Sequence, residues 1–136
     1  MGLQIKSKRS DDYHEIETIF YPVECCDILE IIISNELTFT SSGENIPGNG
    51  NLCLDAYHLI KQDFDIPSVH IHLHKIIPIG AGLGGGSSDA AFTLKGLNEL
   101  FDLELSKEQL KTYALQIGAD CPFFIENKPM LATGIG

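Results

Sequence analysis

Apolar and polar positions alternate along much of the first forty residues, the two-residue period of β-strands. Leu3 and Ile5 alternate with Gln4 and Lys6, and Ile16, Thr18 and Phe20 alternate less cleanly with Glu15, Glu17 and Ile19. The run Asp27-Ile-Leu-Glu-Ile-Ile-Ile-Ser is β-branched and short, which predicts a strand. Leu37-Thr-Phe-Thr alternates again and meets a Ser-Ser-Gly turn, and Gly43, Pro47, Gly48 and Gly50 make residues 41–50 a loop. The period then changes. Leu52, Ala56, Leu59 and Ile60 recur at helical spacing and predict a helix over 51–64, closed by Asp65-Ile-Pro. Val69-His-Ile-His-Leu-His alternates as a half-buried strand. Gly and Pro crowd residues 78–86, after which Ser87 or Ser88 is placed to cap a helix with an apolar stripe of Phe92, Leu94, Leu97 and Phe101. Ser106 and Gln109 have capping-box spacing, Gly118 stands where a C′ glycine would end that helix, and Cys121-Pro-Phe-Phe-Ile predicts a short strand.

Composition narrows the partners. The 136 residues suffice for one domain with its own core. Nine basic residues against nineteen acidic ones, a net charge of −10, argue against nucleic acid or an anionic membrane as the main partner. Lys6, Lys8 and Arg9 are the local exception, a basic N-terminal strand on an acidic body. An apolar fraction of 43% argues against disorder. No stretch approaches the ~20 apolar residues that span a bilayer, and no secretory pattern opens the chain. Cys25 and Cys26 are adjacent, Cys53 and Cys121 stand alone, and no CxxC pair occurs. Four reduced, mostly buried thiols in a cytoplasmic protein are expected. Both ends fall in strand-like sequence, so the chain is expected to be a piece of a longer protein. An apolar surface would then lie open where a further domain docks, unless a homodimer covers it.

The most informative stretch is Pro78-Ile-Gly-Ala-Gly-Leu-Gly-Gly-Gly-Ser-Ser-Asp-Ala-Ala. Five of the nine residues from Gly80 to Ser88 are glycine, between a strand and a helix start. Glycine lets the backbone approach a ligand closely, and the first-turn N–H groups and dipole of a helix favour an anion there. Phosphate is the expected occupant; a flexible connector would need only one glycine. A Walker A loop would end in Gly-Lys-Ser/Thr, whereas Gly86 is followed by Ser87 and Ser88. Gly80-x-Gly82-x-x-Gly85 matches the dinucleotide fingerprint, but only Leu103-Glu-Leu follows the helix where that unit needs an acid-bearing strand. The His-Arg-Asp and Asp-Phe-Gly motifs of protein kinases are absent.

This loop resembles the phosphate loop of the GHMP small-molecule kinases. Two further segments resemble one branch of that superfamily, the 4-diphosphocytidyl-2-C-methyl-D-erythritol kinases: Lys8-Arg-Ser-Asp-Asp-Tyr-His-Glu-Ile16, with Asp12 where that branch carries Gly, and Gly118-Ala-Asp-Cys-Pro-Phe-Phe124. The resemblance covers this whole chain and the N-terminal part of the longer family enzyme. It implies an α+β fold, a mixed sheet with helices on one face, of the ribosomal protein S5 domain 2-like type. It implies ATP and Mg²⁺ as cofactors and ATP-dependent phosphorylation of the 2-hydroxyl of a cytidyl diphosphate sugar alcohol, a step of non-mevalonate isoprenoid synthesis. The family's catalytic lysine sits in a Lys-x-Asn segment before the strand that begins here at Leu3. That segment is not in this sequence, so the piece alone is expected to lack one catalytic group.

The resemblance also implies roles, each with a plainer alternative. Asp120 would accept or orient the proton of the substrate hydroxyl; otherwise it is a helix-end residue bonded to its own turn. Pro78, Ile79, Gly80, Ala81, Gly82, Leu83, Gly84, Gly85, Gly86, Ser87 and Ser88 would hold the phosphates, with Ser88 also a candidate Mg²⁺ ligand. Asp89 reads better as a surface carboxylate favoured by the helix dipole. Tyr13 and His14 would line the cytidyl pocket; otherwise they are packing residues of a strand. Asn51, Leu52 and Lys75 match adenine-contacting positions; their alternatives are a helix N-cap, a core leucine and a solvated lysine. His70, His72 and His74 share one strand face, but strand rise spreads them over ~13 Å, too far for one metal, and a solvent-facing edge is the expected reading. Another GHMP kinase, acting on a different alcohol, and a non-catalytic dinucleotide-binding module remain the alternatives.

Overall fold

The computed structural model describes residues 4–8, 14–48 and 51–135. The elements run β1 (Gln4–Lys8), β2 (His14–Phe20), β3 (Ile28–Ile33), β4 (Thr38–Gly43), α1 (Leu52–Asp63), β5 (Val69–Lys75), α2 (Gly85–Leu100), α3 (Lys107–Ile117), α4 (Cys121–Glu126) and β6 (Met130–Ile135). Their arrangement is the expected α+β one, with the strands divided between two three-stranded sheets. One is antiparallel in the order β1-β2-β6; the other is mixed in the order β3-β5-β4, with β4 parallel and β3 antiparallel to β5. The strand β4 extends three residues past Thr40, so the loop that follows begins at Glu44.

The mixed sheet carries the core on one face. Val69, Ile71 and Leu73 of β5 are buried and meet Ala56 and Ile60 of α1 and Ala90, Leu94 and Leu97 of α2. Burying apolar area at about 25 cal/mol per Å² is what holds these layers together. Local signals set the helix starts. The side chain of Asn51 accepts from the Cys53 N–H and caps α1, and Ser106 and Gln109 form the expected reciprocal capping box on α3.

Several expectations are corrected. Cys121–Ile125 is helical, not extended. Pro122 suits a first helical turn, and Asn127 closes the helix in the left-handed region with its N–H donating to Phe123 O at 2.9 Å. A short apolar run has no period of its own, so packing decides its state. Gly118 ends α3 in extended backbone (φ −176°), not in a left-handed cap. Phe92 is 38% exposed; the buried stripe of α2 is Ala90, Leu94 and Leu97. Neither Ser87 nor Ser88 caps α2, because the helix starts earlier, at Gly85. Only two of the four free cysteines, Cys53 and Cys121, are buried, while Cys26 is exposed.

The three histidines are also placed differently. They lie on the middle strand of the mixed sheet, half-buried, not on an edge. Parallel register sets them beside Thr38, Thr40 and Ser42 of β4. Thr40 Oγ1 bonds both His70 Nε2 (3.2 Å) and His72 Nδ1 (2.8 Å), and Ser42 Oγ bonds His72 Nε2 (3.1 Å) and His74 Nδ1 (2.9 Å). The rings are thus satisfied by hydroxyls. No described residues form a group of three possible metal ligands.

Candidate active site

The segment between β5 and α2 has nine residues, Ile76–Gly84, the last seven of which, Pro78–Gly84, form the glycine loop. Gly80, Gly82 and Gly84 have φ of 75°, 73° and 67°, the left-handed region that glycine enters without strain. At Gly84 the requirement is double, because a Cβ there would come within 2.9 Å of the Phe124 ring. Gly84 is the N-cap of α2 and supplies no side-chain cap. The ladder begins with Ser88 N–H donating to Gly84 O. The N–H groups of Gly85, Gly86 and Ser87 therefore precede it and face outward for an acceptor. A sixteen-residue helix directs its dipole at the same point.

This loop is a wall between two hollows. The smaller, about 360 Å³, is lined by Asn51, Leu52, Lys75 and the whole loop from Pro78 through Ser87. The larger, about 780 Å³, is lined by Ser88, Asp120, Phe123 and Phe124, with the apolar side chains of Tyr21, Val23 and Phe92. Gly82, Leu83, Gly84 and Asp89 belong to both.

Asp120 lines the larger hollow. It is the N-cap of α4, yet its side chain makes no cap bond, and it is exposed. Its position is held instead by backbone, with Cys121 N–H donating to Gly118 O at 3.1 Å and Pro122 following. The plainer reading, an aspartate tied to its own turn, is not what the geometry shows.

Lys75 is not a solvated lysine. It is 4% exposed, because residues 69, 71, 73 and 75 share the core face of β5. Its ammonium donates to Asp27 Oδ2 and, at 2.8 Å, to Asp89 Oδ2. Asp27 Oδ1 accepts the N–H groups of Ile76 (2.5 Å) and Ile77 (2.8 Å). Asp89 is buried as well, at 7% exposure, and is no surface carboxylate.

The three groups titrate differently. Burial pushes the Asp89 carboxyl up to about 6, with Lys75 opposing it. Burial also acts to raise Asp27, but the bonds from Lys75, Ile77 and Ile76 outweigh it and hold that carboxyl below its ordinary value. Burial would lower Lys75, and the two carboxylates raise it above its usual range. Cys53, beside this cluster, is pushed up to about 12 by burial and stays a thiol.

One ammonium thus compensates two carboxylates, and Asp89 is the surplus one. Its folded-state pKa lies above the ordinary 3.8. The stability its proton contributes is complete below about pH 4 and is lost as pH rises through about 6. Above that, the fold carries an ionised buried carboxylate at a cost on the order of 2–3 kcal/mol. In Asp89→Asn, Lys75 keeps Asp27 as its counter-charge. The variant is therefore expected to be more stable than the parent at pH 8, by about 2 kcal/mol, with the difference vanishing toward pH 4. Urea unfolding at the two pH values measures this. A variant less stable at pH 8 would show that the Lys75–Asp89 bond outweighs its burial.

The structure brings Asn51, Leu52, Lys75 and the loop together in one hollow, and Ser88 and Asp120 in the next. Asn51 also keeps its plainer role as a cap. Tyr13 lies outside the described residues, as does the side chain of His14. Sequence reasoning missed Asp27 as a site residue. The parity of Lys75 with Val69, Ile71 and Leu73 was an available signal that a buried carboxylate partner had to exist.

A family model described as the GHMP kinases N terminal domain matches residues 51–128. The chain belongs to the GHMP kinase family. Its similarity to individual GHMP kinases is close. It is 58% identical over 134 residues, 97% of this chain, to a 4-diphosphocytidyl-2-C-methyl-D-erythritol kinase of Cytophaga hutchinsonii, and covers 50% of that protein. It is 53% identical over 142 residues to the like-named kinase of Bacteroides fragilis, covering all of this chain and 52% of that one. The crystal structure of a 4-(cytidine 5'-diphospho)-2C-methyl-D-erythritol kinase superposes with a TM-score of 0.82 at 38% identity, over 99% of this chain and 48% of that one. Phosphomevalonate kinase of Streptococcus pneumoniae, at 13% identity and a TM-score of 0.64, shares the fold. The chain spans about half the length of the curated relatives it matches.

Proposed function

We propose that this chain is the N-terminal, ATP-binding half of a kinase that phosphorylates the 2-hydroxyl of 4-diphosphocytidyl-2-C-methyl-D-erythritol, a step of non-mevalonate isoprenoid synthesis. The observation that carries the reaction class is the uncapped Asp120 carboxylate in the larger hollow, which shares the glycine loop as a wall with the smaller one. The names of the relatives at 53–58% identity support the particular alcohol.

On this reading the smaller hollow takes the nucleoside of ATP against Asn51, Leu52 and Lys75. The loop and the first turn of α2 bind the phosphates, and the larger hollow takes the alcohol. The N–H groups of Gly85, Gly86 and Ser87 are fixed before the reaction, so they stabilise charge without reorganising. Asp120 orients the attacking hydroxyl and accepts its proton while the oxygen approaches the γ-phosphorus in line. Among the described residues no cluster of acids could hold a metal alone. Mg²⁺ would be held by phosphate oxygens with the Ser88 hydroxyl, and when bound it neutralises phosphate charge. Tyr13 and His14 would recognise the cytidyl group. No described helix is long and apolar enough to cross a membrane, and we read the enzyme as cytoplasmic.

A dinucleotide-binding module fits less well, because α2 is followed by α3 and not by an acid-bearing strand. The test is transfer of labelled γ-phosphate from ATP to a panel of alcohols by the full-length protein. Product is expected only with the diphosphocytidyl alcohol. Turnover of phosphomevalonate or homoserine instead would reassign the substrate, and NAD binding without ATP binding would overturn the kinase reading.

A further inference from the structure

Asp27 has no role in the chemistry proposed above, yet it is one of the most constrained side chains of the described structure. It lies just before β3, and the antiparallel register that pairs Ile28 with His74 sets it opposite Lys75. Its carboxyl lies in hydrogen-bonding reach of Asp89, and its other bonds go to three consecutive residues: the Lys75 ammonium through Oδ2, and the Ile76 and Ile77 N–H groups through Oδ1. Those residues are the last of β5 and the two that lead into the glycine loop.

The same ammonium reaches the other end of the loop. Lys75 donates to Asp89, in α2, at 2.8 Å. Gly85, the first residue of α2, lies directly on the ammonium, so that a Cβ there would be 2.9 Å from Nζ and 3.0 Å from Ile77 Cγ2. Between these fixed points, Pro78–Leu83 is exposed. A loop rich in glycine has much conformational freedom to lose when it closes on a ligand. Pinning both ends at one buried point removes part of that cost in advance.

Stability does not account for the arrangement. Two buried carboxylates sharing one ammonium leave an excess negative charge, and apolar side chains of similar volume commonly serve a fold as well. That charge also lies beneath a site meant for anions. The geometry points to Asp27 as a positioning residue for the triphosphate: it holds the entrance of the phosphate loop directly and its exit through Lys75 and Asp89, so the cradle is formed before nucleotide arrives. This inference rests on the ATP-binding reading of the loop.

Asp27→Asn tests it. The amide oxygen can still accept from Ile76 and Ile77, but an NH₂ group now meets the Lys75 ammonium, so the clamp fails at its centre. The expected result in the full-length protein is MgATP affinity reduced about 10- to 100-fold, by analogy with the loss of groups that orient metal ligands. The KM for ATP should rise in parallel, while the KM for the alcohol stays near the parent value. Adenosine has no phosphate to meet the loop, so its affinity should be unchanged. Equal loss of ATP and adenosine would mean that Asp27 only supports the pocket or the fold, and unchanged ATP affinity would remove the role. If the parent binds adenosine and ATP equally well, it is the phosphate-loop reading that fails. Should Asp27→Asn not fold, amide exchange in the parent decides. Ile76 and Ile77 should be protected without nucleotide, and protection appearing only with MgATP would overturn a preformed cradle.

Discussion

Asp120→Asn is expected to lower kcat by ~10²- to 10⁴-fold, the usual cost of removing a positioned general base. Asn keeps the shape and can accept a hydrogen bond, but it cannot take the proton of the substrate hydroxyl. Phosphoryl transfer through a loose transition state asks little of a base, which places the effect toward the lower end. The structure adds the reason for an unchanged fold. The Asp120 side chain is exposed, caps nothing, and is held by the backbone around Gly118 and Pro122. The melting temperature and both KM values should therefore stay near those of the parent, the signature of an interaction made only in the transition state. Steady-state kinetics and a thermal melt measure all three. A variant with near-normal kcat and a clearly lower melting temperature would make Asp120 a structural helix-end residue.

Gly84→Val is expected to abolish nucleotide binding. Gly84 has φ of 67°, where a side chain costs roughly 1–2 kcal/mol through the clash of Cβ with the following carbonyl. Its Cβ would also lie 2.9 Å from Phe124 Cζ and 3.1 Å from Cε2. Phe124 packs against Phe123 and the core cluster, so neither side yields easily. The residue is the N-cap whose conformation aims the first N–H groups of α2. Moving it disperses the cradle, and the branched side chain blocks the approach of phosphate to the backbone. Calorimetry with MgATP reads the loss, and circular dichroism checks that the helices persist. Unchanged affinity in a folded variant would remove the loop from the triphosphate site.

What was legible beforehand was short in range. The Asn51 cap, the Ser106–Gln109 box and the glycine loop each depend on residues a few positions apart, and their chemistry can be read from neighbours. The segment Cys121–Ile125 was not legible in this way. Five residues with three large apolar side chains satisfy a strand and a helix equally, and the helix seen has Pro122 in its first turn and Asn127 as a left-handed cap. The histidines show the same limit. Alternation placed them on one face, but only strand order made that face the middle of a sheet and gave each ring a hydroxyl partner.

The sequence by itself determined where the glycine loop lies, that a helix follows it, and where α1 and α3 begin. Glycine spacing and capping residues encode these through local backbone preferences, whereas the role proposed for Asp120 comes from the motif it shares with the family. The tertiary structure alone decided the rest: the two hollows on either side of the loop and the cluster of Lys75 with Asp27 and Asp89. Those partners are 48 and 14 residues from Lys75 in the chain. Nothing in their immediate neighbours requires them to meet. The register of β3 on β5 and the packing of α2 over that sheet bring them together. Once they are out of water, a charge without a partner would cost several kcal/mol, and that cost makes their pairing part of the fold.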